Sequence, residues 1–217
     1  LLFWPCLWGL TLTFNQANNF KLYLNYIILF FLGSVLMRSA GCIFNDIVDK
    51  DFDKKVKRTR ERPISSKKIS ISESFFYIII LCSFALIILL QFNFLTIMLG
   101  LLSMPLAFSY PYIKRFTYWP QLFLGITFNW GILLGCTALI GEISLEAILL
   151  YIAAIFWTLG YDTIYGFQDI YDDEIIGVKS TSIKFKENYK LFIGLCYFIC
   201  VLFLIILGFL EENKIYY

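Results

Sequence analysis

Seven long apolar segments, separated by shorter polar stretches, constrain this chain more than any other feature. They lie at Leu1–Phe14, Leu24–Phe44, Phe75–Gln91, Phe94–Ser109, Trp119–Ile140, Leu145–Phe167 and Tyr189–Phe209. A transmembrane helix needs about 20 apolar residues, usually 17–25, and these segments lack the alternation typical of membrane β-strands. We therefore predict an all-α, polytopic transmembrane helical bundle that forms a single membrane domain over residues 1–217, with its first helix cut short.

Composition excludes several classes of function. Hydrophobic residues make up 59% of the chain and charged residues 16%, whereas soluble domains average about 45–50% apolar and about 25% charged. A net charge of +2 gives no broad basic surface for nucleic acid. Because the chain has no histidine, His-ligated metals and His-based triads are excluded. The six cysteines have no CxxC spacing, so we expect free thiols rather than disulfides.

The distribution of charge predicts how the chain crosses the membrane. Residues 46–68 and 162–190 together hold 24 of the 34 charges. The polar segments after the second, fourth and sixth helices carry 15 of the 18 Lys and Arg residues. Because basic residues favour the cytoplasmic side, we expect residues 46–68, 110–118 and 168–188 to face the cytoplasm.

Two acidic stripes follow the predicted second and sixth helices. The first consists of Arg38, Asn45, Asp49 and Asp53. The second consists of Asp162, Asp169 and Asp173. Both stripes use the spacing i, i+7, i+11, which places side chains within about 20° of one line if the helix continues. Polar groups at such positions are costly in a membrane and usually functional, so the repetition indicates one site built from two equivalent helix ends.

The chemistry of these groups is that of a metal–phosphate site. Carboxylate and amide oxygens suit Mg²⁺, which commonly bridges one or two carboxylates to substrate phosphates. Basic side chains would supply the complementary contacts to a diphosphate. The candidates are Arg38, Arg58, Arg62, Lys114, Arg115 and Lys179. Lys114 and Arg115 are expected in a short loop without an acidic neighbour, where anchoring at the cytoplasmic membrane surface is the competing interpretation.

These motifs closely resemble those of the UbiA family of membrane prenyltransferases. The family pattern NDxxDxxxD matches Asn45, Asp46, Asp49 and Asp53, and DTxYxxxDxxDD matches the stretch from Asp162 to Asp173. A YxxxK element matches Tyr110 and Lys114, and an IGxKST element matches residues 176–181. Family members have nine helices, so the resemblance implies that this chain is a fragment of a nine-helix fold.

The resemblance also implies an activity, which is the Mg²⁺-dependent transfer of a polyprenyl group from a polyprenyl diphosphate to an aromatic acid. In the branch that it most resembles, the acceptor is 4-hydroxybenzoate, prenylated at the 3-position during ubiquinone biosynthesis. The metal ligands and catalytic carboxylates would be found among Asn45, Asp49, Asp53, Asp169 and Asp173. The side chains of Asp46 and Asp172 point away from the stripes, so we expect them to contact the metal ligands rather than the metal itself. Diphosphate contacts would come from the basic candidates above and from Tyr110.

The resemblance further implies a multi-pass protein of the bacterial or mitochondrial inner membrane, with its active site on the cytoplasmic or matrix side. Menaquinone-type and chlorophyll-type acceptors remain alternatives within the family. The CDP-alcohol phosphotransferase motif requires an Asp-Gly pair, which this chain lacks. A cation transporter is a further alternative, although transporters place their acidic groups near the membrane midplane on broken helices.

Overall fold

The computed structural model of the chain describes residues 1–54, 59–168 and 170–215, except for the side chains of residues 172, 173, 176 and 212–215. Within these ranges all regular structure is helical. The helices are α1 Phe3–Ala17, α2 Phe20–Asp53, α3 Ile71–Leu89, α4 Phe94–Phe116, α5 Pro120–Asn129, α6 Gly131–Ile140, α7 Leu145–Gly166, α8 Ile170–Ile176, α9 Thr181–Lys184 and α10 Tyr189–Ile215.

Short polar side chains determine where several helices begin. Asn93 Oδ1 accepts a hydrogen bond from Thr96 N at the start of α4, and Ser144 Oγ accepts one from Ala147 N at the start of α7. At α3, Ser70 and Glu73 form a complete capping box. These contacts satisfy backbone N–H groups that have no partner within the helix. They therefore fix the helix starts at the polar boundaries of the apolar segments.

Six parts of the described chain are long and apolar enough to cross a membrane. They are Phe20–Asp53, Ile71–Leu89, Phe94–Phe116, Pro120–Ile140, Leu145–Gly166 and Tyr189–Glu211. Helix α1, with 15 residues, is shorter than a usual span. The prediction of an all-α, multi-pass membrane bundle is confirmed, and each of the seven predicted apolar segments is helical.

Two predicted boundaries were wrong. Helix α2 continues to Asp53 rather than ending near Phe44, so the first acidic motif is itself helical. Helix α4 continues to Phe116, well beyond the predicted end at Ser109. The predicted fifth span, Trp119–Ile140, is confirmed as Pro120–Ile140. A turn at Trp130 separates α5 from α6 within it, flanked by Asn129 and Gly131, both poor helix formers.

The two acidic stripes are not equivalent, in contrast to the prediction. Helix α7 ends at Gly166, and a turn separates it from α8, which begins at Ile170. Asp162 and Asp173 therefore do not lie on one continuous helix. The space beside Gly166 is filled by Ser182 Oγ, so a bulkier residue here would displace the segment that packs against α7. Asp169 lies outside the described residues, as does the side chain of Asp173.

Close contacts between backbones hold α1 against α6. A Cβ atom at Gly135 would meet the carbonyl oxygen of Cys6, and one at Gly9 would meet the carbonyl oxygen of Ile132. Small residues allow this close approach, which is the usual means of helix packing in membranes. The helix pair closes the end of the bundle that is remote from the acidic motif, where Cys6 and Leu10 join a buried apolar cluster with Phe30.

The three basic segments meet at one end of the bundle, which we call the polar end. Arg62 of the segment after α2 contacts Asp46 of α2, and Lys114 at the end of α4 contacts Asp49. The backbone N–H of Lys179 donates to the carbonyl oxygen of Lys114 at 2.9 Å. These contacts place the three segments on the same side, as the alternation of charge requires.

The orientation of the polar end is a prediction that can be tested by labelling. Arg60 is exposed at this end, and Asn18 is exposed between α1 and α2 at the other. Because the basic residues favour the cytoplasm or matrix, Arg60→Cys should add labelling by a membrane-impermeant maleimide only from that side. Asn18→Cys should add labelling only from the opposite side. The reverse pattern, measured against the labelling of the native cysteines, would contradict the orientation.

Candidate active site

The first acidic motif lies on the last turns of α2, at the wall of a large cavity. The cavity has a volume of about 1040 Å³ and is lined by residues of α1 to α7. Asn45, Asp46, Asp49 and Asp53 all contribute to its lining. Asp49 is 3% exposed and Asp53 is 7% exposed. Buried carboxylates are costly unless they are paired or bind a cation, so this end of the cavity is built for charged ligands.

Lys114 and Arg115 supply part of the positive charge that the buried carboxylates need. Lys114 Nζ donates to Asp49 Oδ2 at 2.5 Å, and Arg115 Nη2 lies 3.6 Å from Asp49 Oδ1. The expectation that these bases have no acidic neighbour was wrong. They lie in the last helical turn of α4, not in a loop, and the packing of α4 against α2 brings them to a residue 65 positions earlier in the sequence.

Lys114 and Arg115 occupy different positions in the site. Lys114 lines the cavity, whereas the lining residues do not include Arg115. Arg115 Nη2 donates to the carbonyl oxygen of Val48 at 2.9 Å, and its guanidinium lies over the ring of Phe52. Arg115 therefore stabilises the end of α2 from outside the cavity, whereas Lys114 is placed to contact a ligand within it.

Arg62 links two carboxylates of the motif. Its Nη1 donates to Asp46 Oδ1 at 2.8 Å and to Asp53 Oδ2 at 3.1 Å. Thr59 Oγ1 also donates to the carbonyl oxygen of Asp53. These contacts fold the segment after α2 back onto the helix. Asp46, predicted as a supporting residue, lines the cavity and binds Arg62 directly.

A buried cluster of polar side chains stabilises the part of the site that is formed by α5, α7 and the segment that carries Lys179. Thr181 N donates to Gln121 Oε1 at 3.0 Å, and the hydroxyls of Thr163 and Thr181 lie 2.6 Å apart. Ser182 Oγ donates to the carbonyl oxygen of Thr163. The cluster fixes the segment that carries Lys179 against α5 and α7. The position of Gln121 inside a predicted apolar segment was the available sequence signal for it.

Arg38, Tyr110, Lys179 and Asp162 complete the polar part of the lining. Lys179 Nζ donates to the carbonyl oxygen of Phe116 at 3.3 Å and lies over the ring of Tyr118. In the part of the chain that the structure describes, no ion pair involves Arg38. Arg58, another predicted diphosphate contact, lies outside the described residues, as do Asp169 and the side chains of Asp172 and Asp173.

Away from the polar end, the cavity is apolar. Its lining continues along α2 to Phe30 and includes Leu86 of α3, Phe92 and Leu134 of α6. From Asp49 to Phe30 the helix rises roughly 28 Å, at 1.5 Å per residue. The cavity can therefore accept a long hydrocarbon with a charged group at one end.

The donor set at the polar end fits a hard divalent cation. Asp49 Oδ1 is buried and accepts no hydrogen bond from the described residues. Asn45 and Asp53 contribute further oxygen donors to the same wall. No group of three or more acidic, Cys or His side chains is preformed for a metal among the described residues. Two carboxylates and an amide suit Mg²⁺, which keeps several waters and takes its other ligands from phosphate.

Comparison with known proteins gives one family throughout. The model of the UbiA prenyltransferase family matches residues 2–217. The chain is 46% identical to "4-hydroxybenzoate polyprenyltransferase, mitochondrial" of Drosophila melanogaster over 195 residues, which is 89% of this chain and 49% of the relative. Identity to the Arabidopsis thaliana protein of the same name is 46% over 196 residues, or 89% of this chain and 47% of the relative. The chain thus spans about half the length of these curated relatives.

Solved structures agree on the fold. A UbiA homologue from Aeropyrum pernix K1, solved in its apo form, superposes with a TM-score of 0.74 and 25% identity, covering 91% of this chain and 76% of that one. A UbiA homologue from Archaeoglobus fulgidus, solved with GPP and Mg²⁺, gives a TM-score of 0.69 and 16% identity, covering 94% of this chain and 71% of that one.

Proposed function

Because the chain belongs to the UbiA prenyltransferase family, we propose that it transfers a polyprenyl group from a polyprenyl diphosphate to 4-hydroxybenzoate in ubiquinone biosynthesis. The acceptor follows from the names of the relatives at 46% identity. The observation that carries the proposal is the cavity itself. Its carboxylate-rich and lysine-rich end adjoins a long apolar interior, which matches a diphosphate attached to an isoprenoid chain.

We propose Mg²⁺ as the cofactor, held by Asn45, Asp49 and Asp53 together with Asp169 and Asp173. The buried Asp49 oxygen that accepts no hydrogen bond from the described residues and the oxygen-only donor set support this assignment. When bound, the ion would neutralise negative charge on the diphosphate as it departs.

The basic side chains hold the diphosphate in the proposed reaction. Lys114, Arg62 and Lys179 line the polar end and form charge-assisted contacts with its oxygens. Arg38 and Tyr110, which line the same cavity deeper along α2 and α4, are further proposed contacts. The Lys and Arg side chains stabilise the negative charge that develops as the allylic C–O bond breaks and the diphosphate leaves with the bonding electrons.

The acceptor then forms the new carbon–carbon bond. Its ring carbon ortho to the hydroxyl attacks the allylic carbon, and the ring loses a proton to restore aromaticity. Apolar side chains such as Phe30, Leu86 and Leu134 line the remaining cavity. They bind the isoprenoid tail and exclude water that would otherwise capture the cationic carbon.

The decisive assay uses the full-length protein in membranes with Mg²⁺, a polyprenyl diphosphate and labelled aromatic acceptors. We expect label from 4-hydroxybenzoate in the organic phase, with the reaction abolished by removal of the divalent cation. Preferential prenylation of a menaquinone-type or chlorophyll-type acceptor would move the chain to another branch of the family. Cation flux in proteoliposomes without prenyl transfer would favour a transporter.

Lys114 gives a more specific prediction. Lys114→Ala should raise the KM for the prenyl diphosphate about 10- to 100-fold, since it removes a charged hydrogen-bond donor from the cavity. Lys190→Ala removes the same charge from the start of α10, outside the cavity lining, and should leave KM unchanged. Equal kinetics in the two variants, with normal membrane insertion, would leave Lys114 with an anchoring role only.

We propose that residues 1–217 form one membrane domain, with the polar end facing the matrix or cytoplasm. The contacts of α2, α4 and the Lys179 segment around one cavity support a single unit. The mitochondrial relatives and the distribution of Lys and Arg support an inner-membrane location with this orientation.

A further inference from the structure

A second pocket lies on the outside of the polar end, between the end of α2 and the start of α3. Its volume is about 430 Å³, and four lysines line it: Lys50, Lys54, Lys67 and Lys68. Both adjoining helices belong to segments able to cross a membrane. Because α3 begins beside the pocket, a lipid surface around the start of α3 would reach it. The pocket shares no lining residue with the large cavity.

Residues 62–68, which precede α3, make close contacts beside this pocket. Ser65 is buried, and its Oγ donates to the carbonyl oxygen of Lys50 at 3.4 Å. Lys67 N donates to the carbonyl oxygen of Ile64, and Lys68 N to that of Pro63. Arg62 ties the same segment to α2 through Asp46 and Asp53. These contacts fix the backbone that carries Lys67 and Lys68.

The positive charge in the pocket is largely uncompensated. Lys54 pairs with Asp51, but no ion pair among the described residues involves Lys50, Lys67 or Lys68. The acidic residue in the lining, Glu73, accepts hydrogen bonds from the backbone and hydroxyl of Ser70 as part of the α3 capping box. Its role at the helix start accounts for its presence in a basic pocket.

Apolar side chains complete the lining. Ile64, Ile69 and Ile71 lie beside the lysines, and Ile71 is the first residue of α3. A soluble anion would use the lysines alone. A lipid would use both parts, since its phosphate contacts the lysines while its glycerol and upper acyl chains contact Ile69 and Ile71, which unlike Ile64 are not buried.

We propose that this pocket binds the headgroup of an anionic phospholipid. Basic pockets between membrane helices on the cytoplasmic or matrix side suit such headgroups, and each basic residue near the surface contributes on the order of a fivefold change in affinity. The site does not depend on the proposed prenyl transfer, because none of its lysines lines the large cavity.

Native mass spectrometry of the protein with equimolar phosphatidylglycerol and phosphatidylcholine tests this site. We expect one phosphatidylglycerol to be retained in preference to phosphatidylcholine. The Lys67→Gln/Lys68→Gln variant should reduce that preference about 25-fold, at about fivefold for each lysine. Both lysines are exposed, so the substitutions should leave the thermal stability unchanged.

The matched control is Lys184→Gln/Lys190→Gln, which removes the same charge from the polar end outside the pocket. It should retain phosphatidylglycerol as the unmodified protein does. Equal losses in the two variants, or no preference for phosphatidylglycerol in the unmodified protein, would overturn the site. Displacement of the retained lipid by millimolar inorganic phosphate would overturn it as well, because the ligand would then be a soluble anion.

Discussion

Asp49→Asn is expected to reduce prenyl transfer by on the order of 10²–10³-fold, the loss typical of removing one group that stabilises charge in the transition state. Asp49 is 3% exposed, faces the large cavity and has one oxygen without a hydrogen-bond donor. Asparagine keeps the size and one oxygen of the side chain but removes a negative charge that would face a divalent cation. The measurement is turnover as a function of Mg²⁺ concentration, and the half-saturating concentration should rise.

Asp169→Asn is expected to have a comparable effect, because Asp169 is the proposed ligand from the second motif. The double variant should be scarcely less active than either single variant. Residues that hold one metal–diphosphate unit are strongly non-additive, since the loss of one disables the whole unit. A double variant whose losses multiply would indicate two independent sites.

Asp51→Asn is the matched control. Asp51 lies on the same helix, is exposed and pairs with Lys54. It is also absent from the residues that line the cavity. The same change of charge two residues from Asp49 should leave turnover nearly unchanged. Near-normal, Mg²⁺-dependent turnover in Asp49→Asn or Asp169→Asn would refute the two-motif metal site.

Gly135→Ala is expected to destabilise the bundle by about 3 kcal/mol, the upper end of the usual cost of overpacking. The added Cβ would collide with the carbonyl oxygen of Cys6 and the backbone N of Leu10. These are backbone atoms of α1, which cannot rotate away as a side chain can. The helices must therefore separate, and the thermal unfolding temperature of the purified protein in detergent should fall.

Gly194→Ala provides the comparison for this experiment. Gly194 lies within α10, and a Cβ there would meet no atom of the described residues within 4 Å. The substitution should be neutral or raise stability by up to about 1 kcal/mol, the difference in helix propensity between the two residues. Equal stability of the Gly135→Ala and Gly194→Ala variants would show that the contact of α1 with α6 does not support the fold.

The class of fold could be predicted from the sequence because apolar length and charge distribution leave few choices in a membrane. The ends of the helices could not be predicted as well from the sequence. The charged residues after Phe44 and the polar residues after Ser109 resemble loops in composition, yet α2 and α4 continue through them. Contacts with other helices determine this, as in the pairing of Lys114 with Asp49.

The polar cluster around Gln121 is a second feature that could not be predicted from the sequence. Gln121, Thr163 and Thr181 are separated by many residues, and although Gln121 is unusual in an apolar segment, the sequence does not relate the three to one another. They form one buried network only because α5, α7 and α9 meet at the polar end. A single sequence does not contain that spatial relation.

Two properties could be derived from the amino-acid sequence alone: a membrane-embedded helical bundle, and acidic motifs suited to a metal and a diphosphate. Both properties follow from local physics: the length of apolar runs needed to cross a bilayer and the oxygen chemistry of carboxylates. Which charged side chains contact one another depends on how the helices pack. Asp49 faces Lys114 and Arg115, Arg62 links Asp46 to Asp53, and a turn after Gly166 interrupts the second stripe. Electrostatic contacts act across a few ångströms of space irrespective of sequence separation, so the packing of the helices had to be known first.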